Sequence, residues 1–178
     1  MTDSVRLGVA QDAAALHTLA ALTFPLACTE HTPQAEKDSF IAEQLGESAF
    51  ARYLSDPAHV VLVAIEKERG ALSGYSMLIS GAPTDADVAA AIRHRPTIEL
   101  SKMYVHPEHH GDGTAGRLMT ATVSAAAESG AAGMWLGVSV ENARANAFYA
   151  RHGFEQVGHK RFHLGDRWEE DFVRERAL

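Results

Sequence analysis

The sequence predicts an α/β fold of the mixed α+β type, a mixed sheet with helices packed on it, built as one domain over residues 1–178. Three observations predict it. The chain has 178 residues, a one-domain length at which folding buries roughly 70% of the unfolded surface without disulfide or metal staples. Hydrophobic residues make up 46% and charged residues 22%, which excludes a disordered or fibrous chain. Past a helical N-terminal third, two adjacent β-rich runs are followed by strand, helix, strand, helix and strand, the order of a sheet with helical layers.

Residues 5–9 read as a first strand. Asp12 is a helix N-cap, with Ala15, Leu16, Leu19, Ala20 and Leu22 along one side and Pro25 ending the helix. Thr32 and Pro33 read as the N-cap and first residue of a second helix that Gly46 breaks, and residues 47–54 form a shorter one. Residues 59–66 and 72–80, joined by the polar residues 67–70, read as an antiparallel hairpin. Residues 81–95 are a long connection with one helical turn from Asp85. A strand over 97–105 follows. Residues 114–129 carry Ala115, Leu118, Met119, Thr122, Val123 and Ala126 at helical spacing, closed by Gly130. Residues 134–140 are a strand, and Asn142 caps a helix through His152 that Gly153 ends. Residues 155–163 and 168–176 supply two more strands.

Several function classes are excluded by composition. A lone cysteine, Cys28, closes no internal disulfide, so a reducing, cytoplasmic setting is expected. The formal net charge of −7 argues against a nucleic-acid footprint and against an anionic membrane surface. The most apolar early stretch, residues 13–26, is interrupted by His17, Thr18, Thr23 and Pro25, and residues 1–8 lack the apolar core of a signal peptide. His106, His109 and His110 lie close together, but no cysteine or carboxylate completes a metal-ligand spacing, so no metal is expected.

The informative segment is His110-Gly111-Asp112-Gly113-Thr114-Ala115-Gly116-Arg117-Leu118, between a strand and a helix. Glycines let a loop turn its N–H groups toward one point, and the following helix adds its positive end, so such a loop holds an anionic oxygen. It is also compatible with a helix entry that merely needs glycine. Gly111 and Gly116 have P-loop spacing, but Arg117 replaces the lysine and Leu118 the hydroxyl residue, so a nucleotide triphosphatase is excluded. Gly111, Gly113 and Gly116 satisfy G-x-G-x-x-G, with Glu141 after the next strand as a ribose acceptor, so a dinucleotide site stays open. Against it, residues 106–110 separate strand from glycine, and the upstream hairpin is foreign to a doubly wound sheet.

Residues 105–115, VHPEHHGDGTA, resemble the acyl-CoA-binding segment of the GNAT N-acetyltransferases, [RQ]-x-x-G-x-[GA], with Gly113 and Ala115 matching and His110 in place of Arg or Gln. Residues 142–154, NARANAFYARHGF, resemble that family's N-x-x-A-x-x-F-Y-x-x-x-G-F segment at every stated position. The likeness is strongest over residues 98–158. It implies a mostly antiparallel sheet whose fourth and fifth strands, here 97–105 and 134–140, splay apart to admit the pantetheine arm. It also implies acetyl transfer from acetyl-CoA, as co-substrate, to a primary amine on a small molecule, polyamine or peptide, by direct attack in a ternary complex. A non-catalytic CoA-binding sensor is the alternative.

By resemblance, Tyr149 is the acid that protonates the departing thiolate. It is equally placed as a core aromatic, since Ala145, Phe148 and Tyr149 fall at i, i+3 and i+4. Glu99 is the favoured base. Alternation sets it with Ser101, Met103 and Val105 on one face, where apolar neighbours make a carboxylate more basic. Backbone N–H groups of Met103 or Val105 are the oxyanion and pantetheine donors, with Tyr104 between them. Residues His110, Gly111, Asp112, Gly113, Thr114, Ala115 and Gly116 form the pyrophosphate loop, and Asn142 and Phe148 add CoA-side contacts. Asn142 serves equally well as a plain N-cap. Arg117, Arg144 and Arg151 are candidates for the nucleotide phosphates. Dimers are common in that family, so a homodimer is compatible with the sequence.

Overall fold

The computed structural model describes residues 4–178. Its strands are β1 (Ser4–Leu7), β2 (His59–Ile65), β3 (Leu72–Ser80), β4 (Thr97–Val105), β5 (Gly133–Ser139), β6 (Glu155–Leu164) and β7 (Arg167–Ala177). Its α-helices are α1 (Ala13–Ala27), α2 (Gln34–Gln44), α3 (Glu47–Ser55), α4 (Ala86–Ala91), α5 (Thr114–Glu128) and α6 (Ala143–Arg151). The seven strands hydrogen-bond in the order β1-β2-β3-β4-β5-β7-β6. β1 with β2, β5 with β7 and β6 with β7 are antiparallel, and β4 with β5 is parallel, so the expected mixed, mostly antiparallel sheet with flanking helices is present.

The chain forms two compact units, one of residues up to Leu78 with Lys102–Ser124, the other of Ile79–Ser101 with Ala125–Leu178. In the first, α1 buries Leu16, Leu19 and Ala20 as the spacing predicts, with Ala13 and Thr23 in place of the expected Ala15 and Leu22; Leu22 is 46% exposed. Pro25 does not end α1, which runs on to Ala27. A proline this near the last turn removes only its own N–H from the ladder. Asp12 precedes α1 without capping it. Its carboxylate instead takes both Arg6 guanidinium nitrogens at 2.7 and 2.9 Å and the Val9 N–H at 2.8 Å. The Arg6 hydrogen bonds hold that carboxyl below its usual range. β1 stops at Leu7, two residues before the expected end, and Gly8 N–H then donates to Val61. Pro33 is the residue before α2 rather than its first.

The stripe read on α5 packs as expected: Leu118, Met119, Thr122 and Ala126 are buried, and Thr122 Oγ1 bonds Ser76 of β3 at 2.7 Å. In the second unit the connection over residues 81–95 holds α4, capped by Asp85 through the N–H groups of Asp87 and Val88. Val88 and Ile92 pack on Trp135 and Val173. β5 pairs with β7 along its whole length, but with β4 over only three residues, ending at Glu99 with Trp135. Among the described residues, no helix is long and apolar enough to cross a membrane.

The burial pattern on the two helices predicts opposite outcomes for leucine truncation. Leu118→Ala, at a fully buried position, should destabilise by about 2–5 kcal/mol in urea unfolding, whereas Leu22→Ala should stay within roughly 0.5 kcal/mol of the parent.

Candidate active site

The loop after β4 is built in the first unit. Gly74 of β3 lets strands and helix close up at the end of β4, since a Cβ there would sit 3.1 Å from Tyr104 O and 3.4 Å from Leu118 Cδ2. The Tyr104 ring stacks on buried Tyr75 at 5.6 Å, and His106 N–H donates to Ser73 O at 2.8 Å. A single 3-10 turn, Pro107–His109, follows, with His106 Nδ1 accepting from Glu108 N–H. His110 Nε2 donates back to Val105 O at 3.0 Å. The side chain that replaces the family's Arg or Gln thus ties the loop to its own strand.

Gly111 and Gly113 both sit at φ +90°, conformations a side chain would strain. Asp112 between them is fully engaged: Oδ1 accepts from Thr114 N–H at 2.9 Å, capping α5, and Oδ2 pairs with His109 Nδ1 at 2.9 Å. Burial opposes its ionisation, but hydrogen bonds from the Thr114 backbone and side chain and from His109 outweigh it, holding the carboxyl down at about 2. Arg117 braces the turn from below the glycines, donating to Asp112 O at 3.2 Å and Thr114 Oγ1 at 2.8 Å. That is a structural task, in contrast to the phosphate contact its charge suggests. With the turn so fixed, the N–H groups of Gly111, Asp112, Gly113, Ala115 and Gly116 have no acceptor among the described residues. Unpaired amides at a helix entry are groups of the kind that can hold an anionic oxygen.

The second unit holds Glu99, Asn142, Phe148 and Tyr149. Asn142 is the N-cap of α6, its Oδ1 accepting from Ala145 N–H at 3.0 Å. Asn146 anchors the helix further, donating to Ser139 O and Asn142 O at 2.9 Å and accepting from Arg174 Nε at 2.9 Å. Arg174 also donates to Phe154 O, and Arg176 to His152 O at 2.7 Å. This clasp fixes the aromatic face of α6. Tyr149 lies edge-on to Phe148 at 5.6 Å and to Phe154 at 5.8 Å. Its ring is half-buried, burial pushes its phenol up to about 12, and its hydroxyl has no hydrogen-bond partner among the described residues. Glu99 is half-buried at the last position where β4 pairs with β5, in one cross-strand row with Trp135 and Glu175.

The Asn146–Arg174 clasp escaped the sequence because its partners lie 28 residues apart. Asp171, 8% exposed, escaped it too, although strand alternation sets Asp171 and Glu175 on the face of buried Val173 and so carried a signal. Glu175 accepts from the N–H groups of Arg93 and His94 and holds the connection before β4.

Two outcomes follow from the loop geometry. Gly113→Ala should lower the melting temperature by several degrees, because a Cβ there meets Arg117 Nη1 at 2.9 Å in a positive-φ conformation. Asp112, whose folded carboxyl lies below its unfolded value, should contribute stability that is full above about pH 4 and is lost as pH falls toward about 2. In melting temperatures taken across that window, Asp112→Asn should flatten this part of the profile.

Three comparisons bear on this site. The family model described as acetyltransferase (GNAT) family matches residues 15–154. An uncharacterized N-acetyltransferase of Mycobacterium bovis is 40% identical over 167 residues, covering 94% of this chain and 98% of the relative. Among solved structures, the PaiA N-acetyltransferase of Thermoplasma acidophilum in complex with coenzyme A has the same fold, with TM-score 0.77 at 18% identity and 100% of each chain covered. Mutant forms of the spermidine/spermine N-acetyltransferase of Vibrio cholerae align with TM-score 0.66 at 20% identity, over 98% of this chain and 94% of that one. The family match spans most of the chain and includes both the glycine loop and α6, and on that ground this protein belongs to the GNAT acetyltransferase family and is an N-acetyltransferase.

Proposed function

We propose that this enzyme carries acetyl from acetyl-CoA to a primary amine by direct attack in a ternary complex, within one catalytic domain. The observation that carries this reading is the set of five unpartnered amides at the entry to α5. They fit a diphosphate, because the one carboxylate among them, Asp112, is already consumed by Thr114 and His109. The Thermoplasma neighbour, which holds coenzyme A, supports the same choice of donor.

In this reading Glu99 takes a proton from the acceptor's ammonium, directly or through a water. The freed nitrogen attacks the thioester carbonyl, whose oxygen is stabilised by the Met103 or Val105 N–H as it becomes an oxyanion. Collapse breaks the C–S bond, the nitrogen gives its second proton to solvent, and the sulfur leaves as a thiolate that Tyr149 protonates, solvent restoring the phenol. A thiol has an intrinsic pKa near 8.5, so the thiolate already leaves readily, and a phenol near 12 remains protonated at neutral pH. Tyr149 therefore acts more by hydrogen bonding than by full transfer, and its contribution is modest. Asn142 and Phe148 line the CoA side. Cys28 lies outside both motif segments and donates to Phe24 O, in keeping with transfer that uses no acyl-enzyme. The acceptor is a small-molecule, polyamine or peptide amine, the polyamine class being the one named for the Vibrio neighbour.

Coenzyme A and acetyl-CoA should raise the melting temperature, and NAD and ATP should not; stabilisation by NAD alone would return the loop to the dinucleotide reading. Tyr149→Phe should lower kcat for CoA release by roughly 10- to 100-fold with the KM for acetyl-CoA little changed. A wild type that binds CoA yet releases none with any amine would instead be a binding module.

A further inference from the structure

Gly111 and Gly113, both at φ +90°, give the loop after β4 its shape and also its freedom, because glycine reaches many other conformations at little cost. The loop is therefore held by side chains. Asp112 accepts from Thr114 N–H at 2.9 Å and pairs with His109 Nδ1 at 2.9 Å, and Arg117 donates to Asp112 O at 3.2 Å. These bonds stay within residues 109–117. One more crosses back to the sheet: His110 Nε2 donates at 3.0 Å to the carbonyl of Val105, the last residue of β4.

Val105 is itself a fixed point, since the next N–H along, that of His106, donates to Ser73 O of β3 at 2.8 Å. The His110 ring thus ties the loop to a place the sheet already holds. A Cβ at Gly111 or Gly116 would meet open space, so there is room beside two of the unpaired amides. His110 is exposed, and a hydrogen bond in that setting adds little to global stability. Its effect falls instead on where the loop points.

We propose that His110 is a positioning residue for the acyl donor: its bond to Val105 fixes the N–H groups of Gly111, Asp112, Gly113, Ala115 and Gly116 relative to the end of β4. A diphosphate at the loop and a thioester at the Met103 or Val105 N–H are then engaged by one preset surface. The inference rests on the acetyl-transfer reading and adds to it a residue that acts through the loop backbone and touches none of the reacting atoms. Without the tether the loop is competent for only part of the time, and the apparent affinity for the donor falls by that fraction.

Acetyl-CoA compared with S-acetylpantetheine, which has the same thioester and no diphosphate, tests this together with calorimetric titration of CoA. His110→Ala should raise the Kd for CoA and the KM for acetyl-CoA by roughly three- to tenfold, with less than about a twofold fall in kcat. The loss in kcat/KM should be at least about threefold larger with acetyl-CoA than with S-acetylpantetheine. Glutamine carries an amide nitrogen at the reach of the ring Nε2 and asparagine only at that of Nδ1, so His110→Gln should restore most of the affinity and His110→Asn should not. Equal losses with the two donors, an unmoved KM for acetyl-CoA in His110→Ala, or glutamine no better than asparagine overturns the proposal. A wild type that binds no CoA overturns the acetyl-transfer reading and this proposal together, whereas CoA binding indifferent to the residue at 110 overturns this proposal alone.

Discussion

β5 keeps its β7 partner to the end and loses β4 after three residues. A strand directs half its backbone groups toward each neighbour, so groups beyond Trp135 on the β4 side require another partner. Gly74 packs the end of β4 against β3 and α5, and the Asn146–Arg174 clasp fixes α6 on β7.

The loop after β4 shows how local polar chemistry is divided between structure and function. Every side chain that could compete for its amides is tied down: His110 to Val105, His109 to Asp112, Asp112 to Thr114 and Arg117 to both. Side chains brace the turn, and backbone N–H groups are what remains for a ligand. Asp112 stays ionised, and its carboxylate oxygens are held within the turn by Thr114 and His109.

On the face of Trp135 and Asp171 the polar groups are not satisfied, in contrast to the loop. Glu175, on the same face of β7, finds the N–H groups of Arg93 and His94, so burial of a carboxylate here is not in itself anomalous. The two acids differ in partners: Glu175 holds the connection before β4, whereas no hydrogen bond to the Asp171 carboxylate is seen among the described residues.

Local signals were sufficient wherever the cause lay within a few residues. β4 matched its predicted range, Asn142 capped α6, and the α5 stripe faced inward, because alternation, capping and helical spacing act over at most one or two turns. Two motifs in the right order identified the family. Ala15 and Leu22 fell on the wrong side of α1, and Pro25 failed to stop it, because which arc of a helix is covered depends on its neighbours. The Asp12–Arg6 pair, the Asn146–Arg174 clasp, the end of the β4–β5 ladder and the packing of Lys160 and Asp171 over Gly137 were decided only by tertiary structure. Each joins groups brought together by the folded chain, and one-dimensional spacing carries no information about which distant strand lies alongside.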